Sequence, residues 1–441
     1  MRRLTLTVGL LVAMAQPVFA ATEAAVLRTQ EGTAALLRGK FDQAINAFDQ
    51  AIKDPDLPSA RLAGLHSDRG VAYWRLGRNE EALKDFNRSI ELFNGSASTY
   101  NNRANVFIDL GRYEEAVADL DRAITLAPAY GAAYNNRGNA NFQLGRYEAA
   151  LADYRRAVEL LPTNAVPYNG RAQAQEALGR PYAGLRYITR AISLNGKYTA
   201  AYRNRALILQ RLEREDDALA DYERLINLTP EDAYLYVGRG QVYLKQKKVQ
   251  PALKDFSKAI ELDPQNALAF MGRGAVHNER KKYDEALADL DQAITLDPKL
   301  GEAYRHRAEA QFRLNNLERA EADLAKALEL VPNYAEAYRL KGDIAQSKAE
   351  TDAAVAAYKQ AIQFDPFIEG VAETLKKLTP EDIGQRQAIG EPVRGWDIIS
   401  PSKGRYVATN AAHPKLKVLL EMHGPGEPAI LDWTPLSDNL R

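Results

Sequence analysis

Two charged residue types recur through this sequence at a constant interval. Arginine stands at eight positions 34 residues apart, namely Arg69, Arg103, Arg137, Arg171, Arg205, Arg239, Arg273 and Arg307. Aspartate follows 16 residues later in seven cases, at Asp85, Asp119, Asp153, Asp221, Asp255, Asp289 and Asp323, and Tyr187 takes its place after Arg171. Free arginines would bind anions such as nucleic acid, whereas Arg–Asp pairs would hold two helices together. The matching aspartates favour the pairs, either within one interval or with the preceding one.

Asparagines form a second pattern in the first half of the chain. A side-chain amide both donates and accepts hydrogen bonds, as binding the main chain of an extended peptide requires. The asparagines occupy matching places in four successive intervals, at Asn101, Asn102, Asn105, Asn135, Asn136, Asn139, Asn169 and Asn204. The alternative is that they are the solvated consensus of a duplicated sequence. Later intervals carry Val237-Gly238 and Met271-Gly272 instead, so duplication alone does not maintain the asparagines.

No enzyme chemistry assembles from the remaining residues. The chain has no cysteine, which excludes disulfides, thiolate nucleophiles and sulfur-ligated metals. No two of its five histidines stand at the i, i+3 or i, i+4 spacing that helical metal ligands use. No glycine-rich phosphate loop is present. We therefore predict no catalytic residue, no metal and no cofactor.

Helices must position these side chains. In the unit 97–130, Tyr100, Ala104 and Phe107 recur at three- and four-residue steps, which indicates one face of a helix. Gly111 is suited to the left-handed residue that ends this helix. A second helix with the same periodicity follows and stops at Pro128, which cannot donate a backbone hydrogen bond. Each unit therefore predicts a helical hairpin.

The nine units from residue 63 to residue 368 superpose without an insertion. Position 8 of each unit is Gly or Ala, as is position 20, and small residues there allow two helices to cross closely. Position 4 is aromatic in the last eight units, position 24 is usually aromatic, and Pro is frequent at position 32. In these features the sequence resembles the tetratricopeptide repeat family. The resemblance implies an all-α fold, a right-handed superhelical solenoid of about ten hairpins whose first helices line a concave groove carrying the asparagines.

The chain divides into four predicted regions. Residues 1–20 are a signal peptide, residues 369–379 are a capping helix, and residues 380–441 are a linker and a small β-rich segment. The strands of that segment are predicted at 396–399, 405–409, 416–422 and 429–433 from short extended runs between turn residues. Ten repeats lie between the signal peptide and the cap, at 25–62, 63–96, 97–130, 131–164, 165–198, 199–232, 233–266, 267–300, 301–334 and 335–368.

The N-terminus predicts export. Two arginines precede an apolar run from residue 4 to residue 14, and Ala20-Ala21 is an acceptable cleavage site. With the Ala- and Arg-rich composition, this predicts the periplasm of a Gram-negative bacterium, without a membrane anchor after cleavage. The chain has 58 basic and 58 acidic residues, so no net charge attracts nucleic acid or a membrane surface.

The predicted function is a non-catalytic scaffold or adaptor that binds an extended peptide or protein segment in the concave groove. A weaker prediction places an acidic partner beside Arg203, Arg305 and Arg339 in the second half of the groove. One alternative is an array that positions a C-terminal functional module, enzymatic or completed by a partner. Another is a tail that folds over the groove as an internal mimic of the ligand.

Overall fold

The computed structural model describes residues 22–366, 368–379, 396–402, 405–410, 413–422 and 428–432. Residues 1–20, where the signal peptide is predicted, lie outside the described residues, and so does most of the predicted linker after residue 379. The chain divides into two compact units, one ending at Leu228 and the other starting at Thr229.

The first unit, in its described part, consists of twelve helices that pair in sequence order, α1 with α2 through α11 with α12. They are α1 Glu23–Leu37, α2 Phe41–Ile52, α3 Ser59–Arg75, α4 Asn79–Leu92, α5 Ala97–Asp109, α6 Tyr113–Leu126, α7 Gly131–Gln143, α8 Tyr147–Leu160, α9 Ala165–Ala177, α10 Pro181–Leu194, α11 Thr199–Arg211 and α12 Glu215–Leu228. Corresponding helices from α4 onward begin 34 residues apart, which is the interval of the sequence pattern.

The second unit continues the same arrangement with four helix pairs and a shorter helix. They are α13 Ala233–Lys245, α14 Val249–Leu262, α15 Ala267–Glu279, α16 Tyr283–Leu296, α17 Gly301–Arg313, α18 Leu317–Leu330, α19 Ala335–Ser347, α20 Thr351–Phe364 and α21 Val371–Leu378. Val371 is buried, and Leu375 and Leu378 pack with it against the cluster around Tyr358 on α20. Helix α21 therefore covers apolar surface of α20 at the position where a capping helix is predicted.

Four strands follow in the described part of the C-terminal segment. They are β1 Trp396–Ser402, β2 Arg405–Asn410, β3 His413–Met422 and β4 Pro428–Asp432, and they pair antiparallel in the order β1-β2-β3-β4. The predicted β-rich segment spans residues 380–441, and strands are described in four stretches of it. The structure supports backbone pairing in these four stretches, whereas Trp433 and the connecting residues lie outside the described part of the chain.

The turn inside each hairpin requires a left-handed residue. Glycine supplies it in the earlier repeats, with φ of 75° at Gly77 and 72° at Gly145. From residue 213 onward the same place is held by residues with a side chain, for example Lys247 with φ of 57° and Ala349 with φ of 60°. Left-handed φ is unfavourable for such residues. The packed helices therefore impose the turn geometry even where no glycine favours it.

Packing between helices explains the small residues. Ala104 and Ala116, at positions 8 and 20 of one repeat, have no exposed surface. In the next repeat the ring of Tyr154 lies against Gly138 of its own repeat and Gly170 of the following one. A Cβ atom would come within 2.8 Å of that ring at Gly138 and within 2.4 Å at Gly170. Phe256 lies between Gly240 and Gly272 in the same way in the second unit. The aromatic ring at position 24 thus joins successive repeats.

No helix in residues 22–366 and 368–379 is both long enough and apolar enough to cross a bilayer.

Candidate functional site

Each paired arginine of the 34-residue series contacts the aspartate of its own repeat. The contact is two-pronged, as in Arg103, whose Nε and Nη2 donate to the carboxylate of Asp119 at 2.7 and 2.6 Å. All seven aspartates are buried. The pairs are Arg69–Asp85, Arg103–Asp119, Arg137–Asp153, Arg205–Asp221, Arg239–Asp255, Arg273–Asp289 and Arg307–Asp323. The structural interpretation is confirmed, and pairing within one repeat is the form that it takes.

Several of these arginines also reach the preceding repeat. Arg137 donates from Nη1 to Asp121 at 2.6 Å, and Arg307 donates to Asp291 at 2.7 Å. Burial alone would raise the pKa of Asp85, but hydrogen bonds from Arg69 and His66 outweigh it, so this pKa is lowered. Hydrogen bonds to Asp85 in turn raise the pKa of Arg69. The arginines are therefore neutralised cross-links between helices and do not form an open anion-binding row.

Arg171 is the exception. Its guanidinium carbon lies 3.9 Å from the centre of the Tyr187 ring, where the other repeats have an aspartate. Its Nε is buried and has no hydrogen-bond partner among the described residues. The guanidinium is held by cation–π stacking in place of an ion pair.

The predicted groove asparagines all lie on first helices of the first unit, and the structure separates them into two sets. Asn101, Asn135, Asn136 and Asn169 are buried. Nδ2 of Asn136 donates to Oδ1 of Asn101 at 2.9 Å, between α7 and α5. Nδ2 of Asn204 donates to Asn169 at the same distance, between α11 and α9. These amides bind one another across neighbouring repeats and so have a structural role.

The other set is half-buried and consists of Asn102, Asn105, Asn139 and Asn204. Oδ1 of Asn139 accepts a hydrogen bond from the hydroxyl of Tyr154 at 2.8 Å. For Asn102 and Asn105, three residues apart on α5, no side-chain partner exists within the described part of the chain. This spacing places both amides on one face of the helix. They are the members of the predicted site that are available to a ligand.

Packing accompanies part of the asparagine pattern. Asn136 follows a repeat with Leu120 at position 24, and Asn204 follows one with Ile188 there. Where that position is Tyr154, the ring fills the space and the next repeat has Gly170 in place of the asparagine. The variation between Asn136 and Gly170 therefore has a structural reason beside recognition.

Sequence reasoning also missed partners of the asparagines. Asn169 donates to Oε1 of Gln173 at 3.3 Å, and Asn141 donates to the buried carboxylate of Asp153 at 3.1 Å. Gln175 is buried, with Oε1 unpartnered in the described structure. A polar residue at position 11, one turn after the arginine at position 7, was the available signal.

The second unit holds a different polar cluster, centred on Arg305. This side chain donates to Glu309 at 2.9 Å, to the hydroxyl of Tyr334 at 3.2 Å and to Nε2 of His306 at 2.6 Å. Burial, and secondarily Arg305, lowers the pKa of His306 well below its usual range, so the neutral ring accepts that hydrogen bond. Arg305 is thus engaged within the protein, which weakens the prediction of an acidic partner at this place.

Within the described ranges, no three His, Asp or Glu side chains come together as a metal site would require.

Family models identify the repeats. Three models of the tetratricopeptide repeat match the chain, the first at residues 101–165 and 306–367, the second at 61–129 and the third at 233–266 and 267–300. Together they cover more than half of the sequence. The chain belongs to the tetratricopeptide repeat family. Such repeats are generally non-catalytic scaffolds for protein–protein interaction, and they bind protein or peptide partners.

Solved structures of other proteins resemble parts of the chain. YrrB, described as having an unusual peptide-binding site, is 26% identical over 42% of this chain and 95% of its own, with a TM-score of 0.36. A Parabacteroides merdae protein is 24% identical over 64% and 98%, with a TM-score of 0.42. Yeast Tom70 is 15% identical over 82% and 96%, with a TM-score of 0.41. No curated protein matches the chain.

Proposed function

We propose that this tetratricopeptide repeat protein is a scaffold that holds an extended segment of a partner protein along the asparagine face of its first unit. The observation that carries the proposal is the pair Asn102 and Asn105, whose side-chain amides are half-buried and have no partner in the described structure. Each amide can donate to a peptide carbonyl and accept from a peptide N–H.

The buried asparagines support this face from behind. Asn136 and Asn101 are fixed to each other at 2.9 Å, so α5 and α7 are held in register. A binding surface that is rigid before the ligand arrives loses less conformational entropy on binding. Six of the eight predicted asparagines thus bond to other side chains and support this face, whereas the half-buried Asn102 and Asn105 are the proposed contacts.

The test uses a peptide selected on the wild-type protein from a random library, labelled with a fluorophore. Its affinity is measured by anisotropy for the wild type and for the double variant Asn102→Ala, Asn105→Ala. Loss of two to three hydrogen bonds predicts a decrease of about tenfold or more. Asn46→Ala with Gln50→Ala is the matched control, because these amides lie one turn apart on the second helix α2 and bond to each other. Equal affinity of both double variants would refute the asparagine site.

We further propose that the protein acts in the periplasm after signal cleavage, an inference that rests on the sequence of residues 1–21.

The same selected peptide also separates the scaffold from the alternative C-terminal module. A protein truncated after Leu378 should bind it as the full chain does. Loss of binding on truncation would favour the alternative, and tighter binding would favour a tail that competes for the groove.

A further inference from the structure

The sequence around α10 has a charge balance unlike that of the whole chain. Between Glu176 and Glu213 there is no acidic residue, and the basic residues there are Arg180, Arg186, Arg190, Lys197, Arg203, Arg205 and Arg211. Each of the other second helices from α2 to α20 contains Asp or Glu, whereas α10 contains none. A chain without net charge therefore carries a concentrated positive region in one repeat.

Ion pairs neutralise some of these charges. Arg180 contacts Glu148 at 3.0 Å, Arg205 is paired with Asp221, and Arg211 is paired with Glu176. For Arg171, Arg186 and Arg190, in contrast, the described residues offer no carboxylate within ion-pair distance. Arg190 makes a long contact of 3.4 Å with the hydroxyl of Ser193. The uncompensated charge thus belongs to α10 and to the arginine that stacks on it.

The ring of Tyr187 gathers two of these arginines. The guanidinium of Arg171 lies 3.9 Å from the ring centre and that of Arg186 lies 5.3 Å from it. Arg155 on α8 stands at the repeat position at which Asp121 on α6 contacts Arg137. In repeat 131–164, two carboxylates surround the arginine at position 7. In repeat 165–198, an aromatic ring and additional arginines stand at the corresponding places.

The exposed side of α10 extends this surface. Tyr182 is 71% exposed and precedes Arg186 and Arg190 at steps of four residues, so the three side chains share one face of the helix. Tyrosine and arginine are the residue types most enriched in protein–protein contacts. We call the surface formed by Tyr182, Arg186, Tyr187 and Arg190, with Arg171 and Arg155 beside it, the basic α10 face.

We propose that the basic α10 face binds an acidic segment of a partner protein, whose carboxylates take the place of the aspartates that this repeat lacks. Neighbouring helices limit the length of the ligand. Helix α8 carries Glu148 and Glu159, and the first turn of α12 carries Glu215, Asp216 and Asp217. A long polyanion such as nucleic acid would meet these like charges, whereas a short acidic segment fits between them. The proposal concerns second-helix surface and does not depend on the asparagine site.

The test measures binding of a fluorescein-labelled decaglutamate peptide to the full chain by anisotropy at low salt. The double variant Arg186→Glu, Arg190→Glu reverses the charge of the face. Lys84→Glu with Arg88→Glu is the matched control, because these exposed residues occupy the same two repeat positions on α4. We expect the first variant to weaken binding about tenfold or more and the control to bind like the wild type. The salt dependence of binding should also decrease in the first variant.

Three binding results would overturn the proposal, and so would one sedimentation result. One is the absence of decaglutamate binding, and another is an equal loss in both double variants. The third is equal or tighter binding of single-stranded DNA of the same charge, which would assign the face to polyanions in general. Sedimentation of the wild type tests a second copy of this chain as the occupant. Self-association that Arg186→Glu, Arg190→Glu abolishes would assign the face to a homotypic contact.

Discussion

Repeats 131–164 and 165–198 are neighbours with helices of equal length, yet their central arginines are held by different chemistry. Arg137 donates to Asp153 of its own repeat and to Asp121 of the preceding one. Arg171 stacks on Tyr187 and has no carboxylate partner within the described residues. The hairpin geometry therefore does not require the ion pair. The pair adds a connection between the two helices of a repeat, and its loss leaves charge available for another molecule.

Replacing Arg137, which has two carboxylate partners, should cause the largest loss of unfolding free energy. Arg137→Ala leaves the carboxylate of Asp153, which is 5% exposed, without its main partner. Breaking one side of a buried pair costs about 3–5 kcal/mol of unfolding free energy. Urea denaturation measures this loss, and Arg156→Ala on the exposed side of α8 is the control. A loss below about 1 kcal/mol would show that the ion pair is not a major contact between the two helices of the repeat.

Acid should weaken the repeat with Asp85 and spare the repeat with Tyr187. The pKa of Asp85 is lowered in the folded protein from its ordinary value of 3.8, so its contribution is present above the unfolded pKa and is lost as pH falls through the folded pKa. Below pH 3.8, hydrogen exchange should therefore accelerate in α3 and α4, since Arg69 loses its carboxylate partner. Helices α9 and α10 have no such pair, so their exchange, corrected for the intrinsic pH effect, should change less. Uniform acceleration would contradict this difference.

Asn136→Ala tests a second difference between the two repeats. The variant leaves Oδ1 of Asn101 buried without its donor, which costs about 1–3 kcal/mol. The equivalent residue of the next repeat is Gly170, which has no amide to lose, because Tyr154 occupies the space. Thermal unfolding compares Asn136→Ala with Asn102→Ala, whose amide has no partner in the described structure. Equal destabilisation would remove the distinction between the supporting asparagines and the half-buried pair Asn102 and Asn105.

The smallest loss of unfolding free energy is expected in repeat 165–198. Arg171→Ala removes a cation–π contact without leaving a buried carboxylate unpaired, and we expect a loss of about 1 kcal/mol. The same urea denaturation used for Arg137→Ala measures it. A loss equal to that of Arg137→Ala would mean that both arginines contribute through packing of their side chains alone.

The sequence predicts most of the helical architecture because its period is also the period of the packing. A small residue at position 8 gives room to a ring such as Tyr154 or Phe256, and at position 20 a Cβ on Gly184 would come within 3.0 Å of the carbonyl oxygen of Ala172 at position 8. The partner of each arginine could not be predicted. The aspartates at position 23 of the same repeat and of the preceding repeat are about equally regular in sequence. Only the geometry shows that each paired guanidinium contacts the position-23 aspartate of its own repeat.

The sequence could not divide the candidate site into buried and half-buried amides, for a physical reason. Burial separates Asn101 from Asn102, although the two are adjacent in sequence and identical in type. Their difference arises from contacts with the next repeat, since Asn101 meets Asn136 and Asn102 does not. A pattern along one chain does not contain that information. The unusual charge of α10 was present in the sequence but becomes informative only once Arg171 is seen to lack a carboxylate partner.

The left-handed turn residues have a consequence for cooperativity. Lys247, Lys281 and Ala349 each retain a backbone conformation that costs roughly 1 kcal/mol relative to glycine, and their side chains are not needed for the turn. Replacing them with glycine one at a time would stabilise single repeats of the second unit without altering any helix contact. In a linear array of coupled modules, such graded changes separate the intrinsic stability of a repeat from its coupling to its neighbours. The second unit thus has built-in positions at which that coupling energy can be measured.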